Sequence, residues 1–327
     1  MPSTRRSVAL ALLALLAAAP AMAQSDADVR SYPNRAIKII IPFPAGGPSD
    51  VLARIIGQKL TEAWGQPVLI ENRVGANTVI GAQAAAKAAP DGYTLFQVID
   101  STLTMNQYLY RKLPYDPFAD FAPITLTAKS MVFLYAHASS DIKSTKDLLA
   151  QAKAQPGKLN YGAGTITSQL MGHLINKAAG VQTVLVRYNG SAQTTQGLAT
   201  RSVDFTIDGT SAAMPLVQSG QFRALAKFDS RPFPAMPQVP MIQADLPNYE
   251  EISVWLALVA PKGTPPAIID KLHGQIVKTL SDPGVKAKAD AAGLFPATST
   301  PAELATFIRK EAARWKDVVQ ETGIHYD

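Results

Sequence analysis

The chain has 327 residues, 47% of them hydrophobic and 17% charged, with a formal net charge of +6; that length allows two domains, and that balance supplies a large core and excludes a disordered chain. It contains no cysteine, which excludes disulfides, thiolate metal sites and cysteine nucleophiles. Its basic residues nowhere interleave with aromatics as a nucleic-acid groove requires, so no nucleic-acid partner is expected.

The first segment reads as a leader. Arg5 and Arg6 precede the apolar run "SVALALLALLAAAP", and Ala21-Met22-Ala23 before Gln24 fits a small-x-small cleavage site. A secretory signal peptide over residues 1–23, cleaved near Ala23, is therefore expected, and it is too short to span a membrane stably. The paired arginines leave Sec and twin-arginine export both open. Removing two arginines and no acid gives a mature charge of +6 − 2 = +4, a mildly positive surface suited to capturing small anions. No later run approaches membrane-span length, so a soluble, exported protein is expected.

After a polar lead-in, strands and helices alternate. "AIKIII" is a near-continuous apolar strand. Val51, Leu52, Ile55, Ile56, Leu60 and Trp64 then make one helical stripe. "PVLIEN" is a second strand, "VIGAQAAAKAA" a helix, and "PDGYTLFQVI" a turn with a third strand. "APITLTA" and "MVFLYA" follow as strands. "STKDLLAQAKAQPGK" is a helix that opens on Ser144 with Asp147 three residues on. "LNYGAG", "TVLVRY", "VDFTID" and "RALAKF" are strands, with helices at "TSQLMGHLINKAAG" and around 212–221. A passage over 231–247 with five prolines reads as an extended connection. "SVWLALVAP" is another strand, and helices near 265–280, 284–292 and 301–322 close the chain.

Such alternation predicts an α/β fold of two lobes, each a mostly parallel sheet flanked by helices. The closing helices need a sheet to cover, and the first has few helices of its own. The expected division is 24–125 plus 253–327 for a discontinuous first lobe and 126–252 for the second, with a ligand cleft between them.

In open α/β sheets ligands sit beyond the carboxyl ends of strands, where loops enter helix N-termini. Three such loops are small and polar. "PFPAGGPSD" brings Gly46, Gly47, Ser49 and Asp50 to a helix start. Either Gly47 or Ser49 caps it, and in both cases orphan N–H groups and the helix dipole face out toward an anion. A tight, capped turn without a ligand fits the same residues. "YGAGTITSQ" presents Gly164, Thr165, Thr167 and Ser168 in the same way, without the third glycine of a dinucleotide fingerprint or the lysine of a phosphate loop. In "TIDGTSAAMP", Asp208 ends a strand, where it either accepts a ligand hydrogen bond or caps the next helix. Asp100, Ser101 and Thr102 in "VIDSTLT" carry the same ambiguity.

His137, His173, His273 and His325 are scattered, with no second ligand at metal spacing, and there is no Gly-x-Ser-x-Gly elbow. Anion cradles without an activated nucleophile favour binding over turnover. No enzyme activity, cofactor or metal is expected.

"YPNRAIKIIIPFPAGGPSDVLARIIGQKL" and "GQPVLIENRVGANTVIGAQAAAKAAPDGYTL" closely resemble the solute-binding proteins of tripartite tricarboxylate transporters, the Bug family. "LPYDPFADFAPIT", "QPGKLNYGAGTITSQL", "RYNGSAQ", "GQFRALA" and "WLALVAPKGTP" continue the match in order over essentially the whole mature chain. The resemblance implies a two-lobed periplasmic binding protein of type II-like form that closes on a small carboxylate. In that family backbone groups and two ordered waters hold one ligand carboxylate. By position the resemblance implies Phe43, Pro44, Gly46, Gly47, Ser49 and Asp50 from the first lobe. From the second it implies Gly164, Thr165, Thr167, Ser168, Tyr188 and Asp208, with Asn77 and Ser101 near the cleft edge. Arg187 stands where many members have proline, and either pairs with a second ligand carboxylate or points to solvent. "VIDST" and "TIDGTS" also depart from the family pattern.

The implied partners are a small carboxylate with bridging waters and the permease subunits of a tripartite transporter, served by a monomer that closes around strands near residues 125 and 252. Two rivals stand beside this reading: a sensor subunit that docks the same closed form on a two-component sensor kinase, and an α/β enzyme. Dicarboxylates, tricarboxylates, aromatic acids, amino acids and nicotinate-like acids all fit as ligands.

Overall fold

The computed structural model describes residues 26–326, so the expected leader and its cleavage point near Ala23 lie outside the described residues. Helix α1 (Asp26–Ser31) precedes strand β1 (Ile37–Ile41), followed by α2 (Pro48–Trp64), β2 (Val68–Asn72), α3 (Val79–Ala86) and β3 (Thr94–Ile99). Two short helices, α4 (Asp100–Thr104) and α5 (Asn106–Leu109), lead to β4 (Phe121–Ser130). Then come β5 (Val132–His137), α6 (Thr145–Ala154), β6 (Asn160–Ala163), α7 (Ile166–Ala179), β7 (Val184–Arg187), α8 (Ser191–Ala199), β8 (Phe205–Gly209), α9 (Thr210–Gln218) and β9 (Phe222–Lys227). The chain ends with β10 (Val254–Pro261), α10 (Pro266–Ser281), α11 (Pro283–Ala291), β11 (Leu294–Pro296) and α12 (Pro301–Thr322).

These strands form two sheets, in the order β11-β4-β10-β3-β1-β2 and β7-β6-β8-β5-β9. The two-lobed α/β architecture is as expected, but the sheets are mixed rather than mostly parallel. β1 runs parallel to β2 and β3, whereas β10 is antiparallel to β3 and β4, and β11 is antiparallel to β4. In the second sheet β6 is parallel to β7 and β8, and β5 is antiparallel to β8 and β9. Relative to the parallel strands of each sheet, β10 and β11 are reversed in the first and β5 in the second, and β5 and β10 are the strands by which the chain enters each sheet from the other. β4 stays in the first sheet to Ser130, and β5 starts in the second at Val132 with only Met131 between. The first passage therefore lies beyond the expected boundary at 125. The return runs from Lys227 through the proline-rich stretch to Val254.

Local signals account for the helices that matter. α2 starts with Gly47 as its cap and Pro48 in its first turn, and Gly65 ends it at φ 67°, a conformation that favours glycine. α12 has a full capping box, Thr300 with Glu303. α10 and α12 both lie against β4, so the closing helices do cover the first sheet. Beyond α12, Tyr326 bridges the lobes: its N–H donates to Leu109 O at 2.8 Å and its hydroxyl to Gln169 Oε1 of α7 at 2.8 Å. Among the described residues no helix is long and apolar enough to cross a membrane.

Candidate functional site

Four helices begin at one cavity between the sheets. The N-caps of α2, α7, α8 and α9 are Gly47, Thr165, Gly190 and Gly209, and all four line it. Only Thr165 satisfies its own helix, accepting a hydrogen bond from Ser168 N–H at 3.1 Å. The three glycine caps offer no side-chain acceptor, so first-turn N–H groups stay available. Each helix start also carries about half a positive charge from its aligned peptide dipoles. Ser49, 4% exposed, adds a buried hydroxyl with no hydrogen-bond partner.

Ser130 and Asn189 add polar groups to the lining, and the rest of the wall is largely apolar. Phe43, Pro44 and Ala45 come from the first loop, and Ile99, Val132, Val254 and Leu256 from the strands that meet at the crossing. The cavity volume is about 60 Å3. A buried water needs about 10–15 Å3, so the space holds a handful of waters or a compact head group. The two sides touch above it. A Cβ placed on Gly190 would lie 3.5 Å from Pro44, and one on Gly209 would lie 3.5 Å from Pro48. Gly190 itself sits at φ 91°, which a side chain would strain.

Asp208, at the end of β8, is the one charged residue lining the cavity among those described. Its Oδ1 accepts Ser191 Oγ–H at 2.6 Å and Gly209 N–H at 2.7 Å, while the buried Oδ2 has no partner. Burial pushes its carboxyl up to about 6, against hydrogen bonds from Ser191 and Gly209 that pull it down.

Of the positions singled out from sequence, Phe43, Pro44, Gly47, Ser49, Thr165, Ser168 and Asp208 line the cavity. Others frame it from behind. Asp50 is 2% exposed and takes Gly46 N–H and both ends of Arg54, together with Asn72 Nδ2, which also reaches Phe43 O. Burial pushes the Asp50 carboxyl up, but those bonds win and hold it below the ordinary range. It shapes the loop and does not face the cavity. A Cβ on Gly164 would stand 2.6 Å from both Gly190 C and Thr194 Oγ1, so that glycine serves contact between loops. Thr167 crosses the lobes, donating to Asp100 Oδ1 at 2.8 Å with both residues buried.

Four positions lie away from the cavity. Ser101 is buried, and its N–H donates to Asp100 Oδ1. Asn77, at φ 49°, donates to Tyr110 OH. Tyr188 packs against Gly162 and Gly197. Arg187 is exposed and stacks 5.3 Å over the Tyr326 ring, outside the cavity lining. Sequence reading missed Gly190, Ser191 and Gly209. For Gly190 and Ser191 the signal was present in "YNGSAQ", where a glycine cap and a hydroxyl residue open a helix as Gly47 and Ser49 do in the first loop. Among the described residues no three His, Asp or Glu side chains are grouped to hold a metal ion.

The profile of the tripartite tricarboxylate transporter family receptor matches residues 52–324. Protein BugT of Bordetella pertussis is 35% identical over 297 residues, 90% of this chain and 91% of that protein. Among solved structures, R. palustris Rpa4515 with adipate is 33% identical with a TM-score of 0.86, covering 90% of this chain and 99% of that one. MatC from Rhodopseudomonas palustris with bound malate is 30% identical with a TM-score of 0.80, covering 88% and 100%.

Proposed function

The chain belongs to the tripartite tricarboxylate transporter receptor family, and from that premise we propose that it is an exported periplasmic binding protein. It captures a small carboxylate between its lobes and presents it to the membrane subunits of a tripartite transporter. The leader over residues 1–23 directs export and is removed near Ala23.

The observation that carries this reading is the meeting of four helix N-termini at one cavity with largely apolar walls and an unpartnered Ser49 hydroxyl. Main-chain N–H groups at helix ends match the charge and size of a carboxylate without a cationic side chain. Water bridges fill the remaining gap at small entropic cost. The ligand contacts are Gly47 and Ser49 from the first lobe and Thr165, Ser168 and Asp208 from the second, with Phe43 and Pro44 covering the apolar part. Asp50, Gly46, Gly164 and Thr167 hold these in place. Lobe closure then follows from one ligand bridging helix ends on both sides.

A thermal-shift screen of the mature protein over carboxylic acids tests the reading, since a saturating ligand raises the melting point by mass action. Small-angle scattering with and without the best binder should show a smaller radius on binding. An unchanged radius at saturation, or conversion of the bound acid to product by the pure protein, refutes it.

A further inference from the structure

The charge inside the cavity is unusual for a site meant for a polyanion. Among the described residues no Lys, Arg or His lines it, and Asp208, 4% exposed, already places a carboxylate in its wall. One ligand carboxylate is met by the helix ends and by Ser49. A second would be brought beside Asp208 with no cation to balance it, a like-charge pairing that a low-dielectric enclosure penalises strongly.

Asp208 is set up as an acceptor. Two donors, Ser191 Oγ–H and Gly209 N–H, converge on Oδ1 and favour the ionised form, and the N-terminus of α9 begins beside it. That leaves Oδ2 buried and unpartnered, a state that costs free energy unless something donates to it. The Asp208 carboxylate acts on Tyr135, on the neighbouring strand β5, whose hydroxyl is itself buried without a partner. It does not line the cavity.

We propose that the ligand is zwitterionic: an amino acid whose carboxylate sits on the helix ends and whose ammonium group donates to Oδ2 of Asp208. The inference rests on the reading of the cavity as a carboxylate site. It makes Asp208 the residue that sets specificity, and the ligand enters with no net charge. The apolar surface of Ile99, Val132, Val254 and Leu256 receives the uncharged part of the molecule.

The test is calorimetric titration of the mature protein at pH 7.5 with the twenty common amino acids, their des-amino monocarboxylates, and the dicarboxylates malate and adipate. The expected result is saturable binding of an amino acid, with the des-amino analogue weaker by on the order of 30-fold, the range set by one hydrogen bond to a charged group. Asp208→Asn keeps an acceptor for Ser191 and Gly209, so it should fold. It should lose a similar factor for the amino acid and little for the des-amino acid. Affinity for the amino acid should fall as pH drops below about 6, where the Asp208 carboxyl takes up a proton. Des-amino acids or dicarboxylates that bind as tightly as any amino acid would overturn the inference and leave the carboxylate reading standing. So would binding that tightens as pH falls, the sign of an acid sharing its proton with Asp208. If none of the three classes binds, the carboxylate reading itself fails and the inference with it.

Discussion

Replacing Asp100 with asparagine should make the protein more stable at pH 8 and change little at pH 5. Asp100 is 1% exposed at the lobe boundary, where its Oδ1 accepts Thr167 Oγ1–H and Ser101 N–H. Burial raises its carboxyl from 3.8 to about 7, and the nearby Glu311 carboxylate adds to the rise. The folded form therefore holds the proton more tightly than the unfolded chain does. Its contribution is favourable below about pH 4 and is lost as pH climbs from there to 7. The rise from 3.8 to about 7 spans roughly three tenfold steps, or about 4 kcal/mol of penalty above pH 7. Asparagine removes that charge and keeps the oxygen that Thr167 and Ser101 use. Its new NH2 must find partners, which costs about 1–3 kcal/mol if it does not. The net expectation is a gain of about 1–3 kcal/mol at pH 8 that shrinks toward zero, or reverses, by pH 5. Urea unfolding of both proteins at pH 5, 6, 7 and 8 measures it. A variant that is less stable by the same amount at every pH would show that Asp100 carries no buried charge, and the reasoning would fall.

Three further outcomes follow from the same contacts. Thr167→Val deletes the hydroxyl that joins the lobes; the closed, liganded form should lose about 1–3 kcal/mol, read as a rise in Kd of about 5- to 150-fold and a larger scattering radius at saturation. Gly47→Val should leave the apo melting point within about 2 °C, because a Cβ there meets only Pro44 O at 3.8 Å and φ is an ordinary −77°. The isopropyl group fills the cavity mouth, so the ligand-induced thermal shift should vanish; a full shift would remove this loop from the site. Gly164→Ala forces a Cβ to 2.6 Å from Gly190 C, and overpacking of that kind costs about 1–3 kcal/mol. It should weaken both urea stability and binding, whereas an effect on stability alone would mean that the Gly190 loop does not reach the ligand.

What was legible in the sequence was whatever depends on near neighbours. The apolar runs of β1, β3 and β10 and the stripe of α2 are local patterns, and "PFPAGGPSD" carries its own cap and its own proline. Strand direction was not legible. A strand covered on both faces reads as a continuous apolar run whichever way it points, and β10 is antiparallel because the chain returns to it from the other lobe. α8 was missed because "SAQTTQGLA" holds just one large apolar residue, Leu198, and its stability comes from packing on β8. Roles of individual polar residues were the least legible. Asp50 looked like a ligand contact until Arg54 and Asn72 were seen to occupy it. Thr167 looked like one until its partner proved to be Asp100, 67 residues away.

The arrangement also gives a physical reason for closure to depend on ligand. The start of α2 belongs to one lobe and the starts of α7, α8 and α9 to the other, so closing the cleft brings like partial charges together. Asp208 offsets part of that, but from beneath α8 and α9, on the side where positive ends already outnumber α2. An anion placed between the lobes turns the repulsion into attraction from both sides and satisfies N–H groups that closure would otherwise strip of water. A ligand shifts a two-state equilibrium only by its difference in affinity for the two states. Here that difference has a named source: in the open form a carboxylate meets the helix end of one lobe, and in the closed form it meets both. The Asp100–Thr167 bond works the other way, adding to closure whether or not ligand is present. Weakening it should therefore raise Kd without changing which acids bind, and altering Asp208 should change which acids bind.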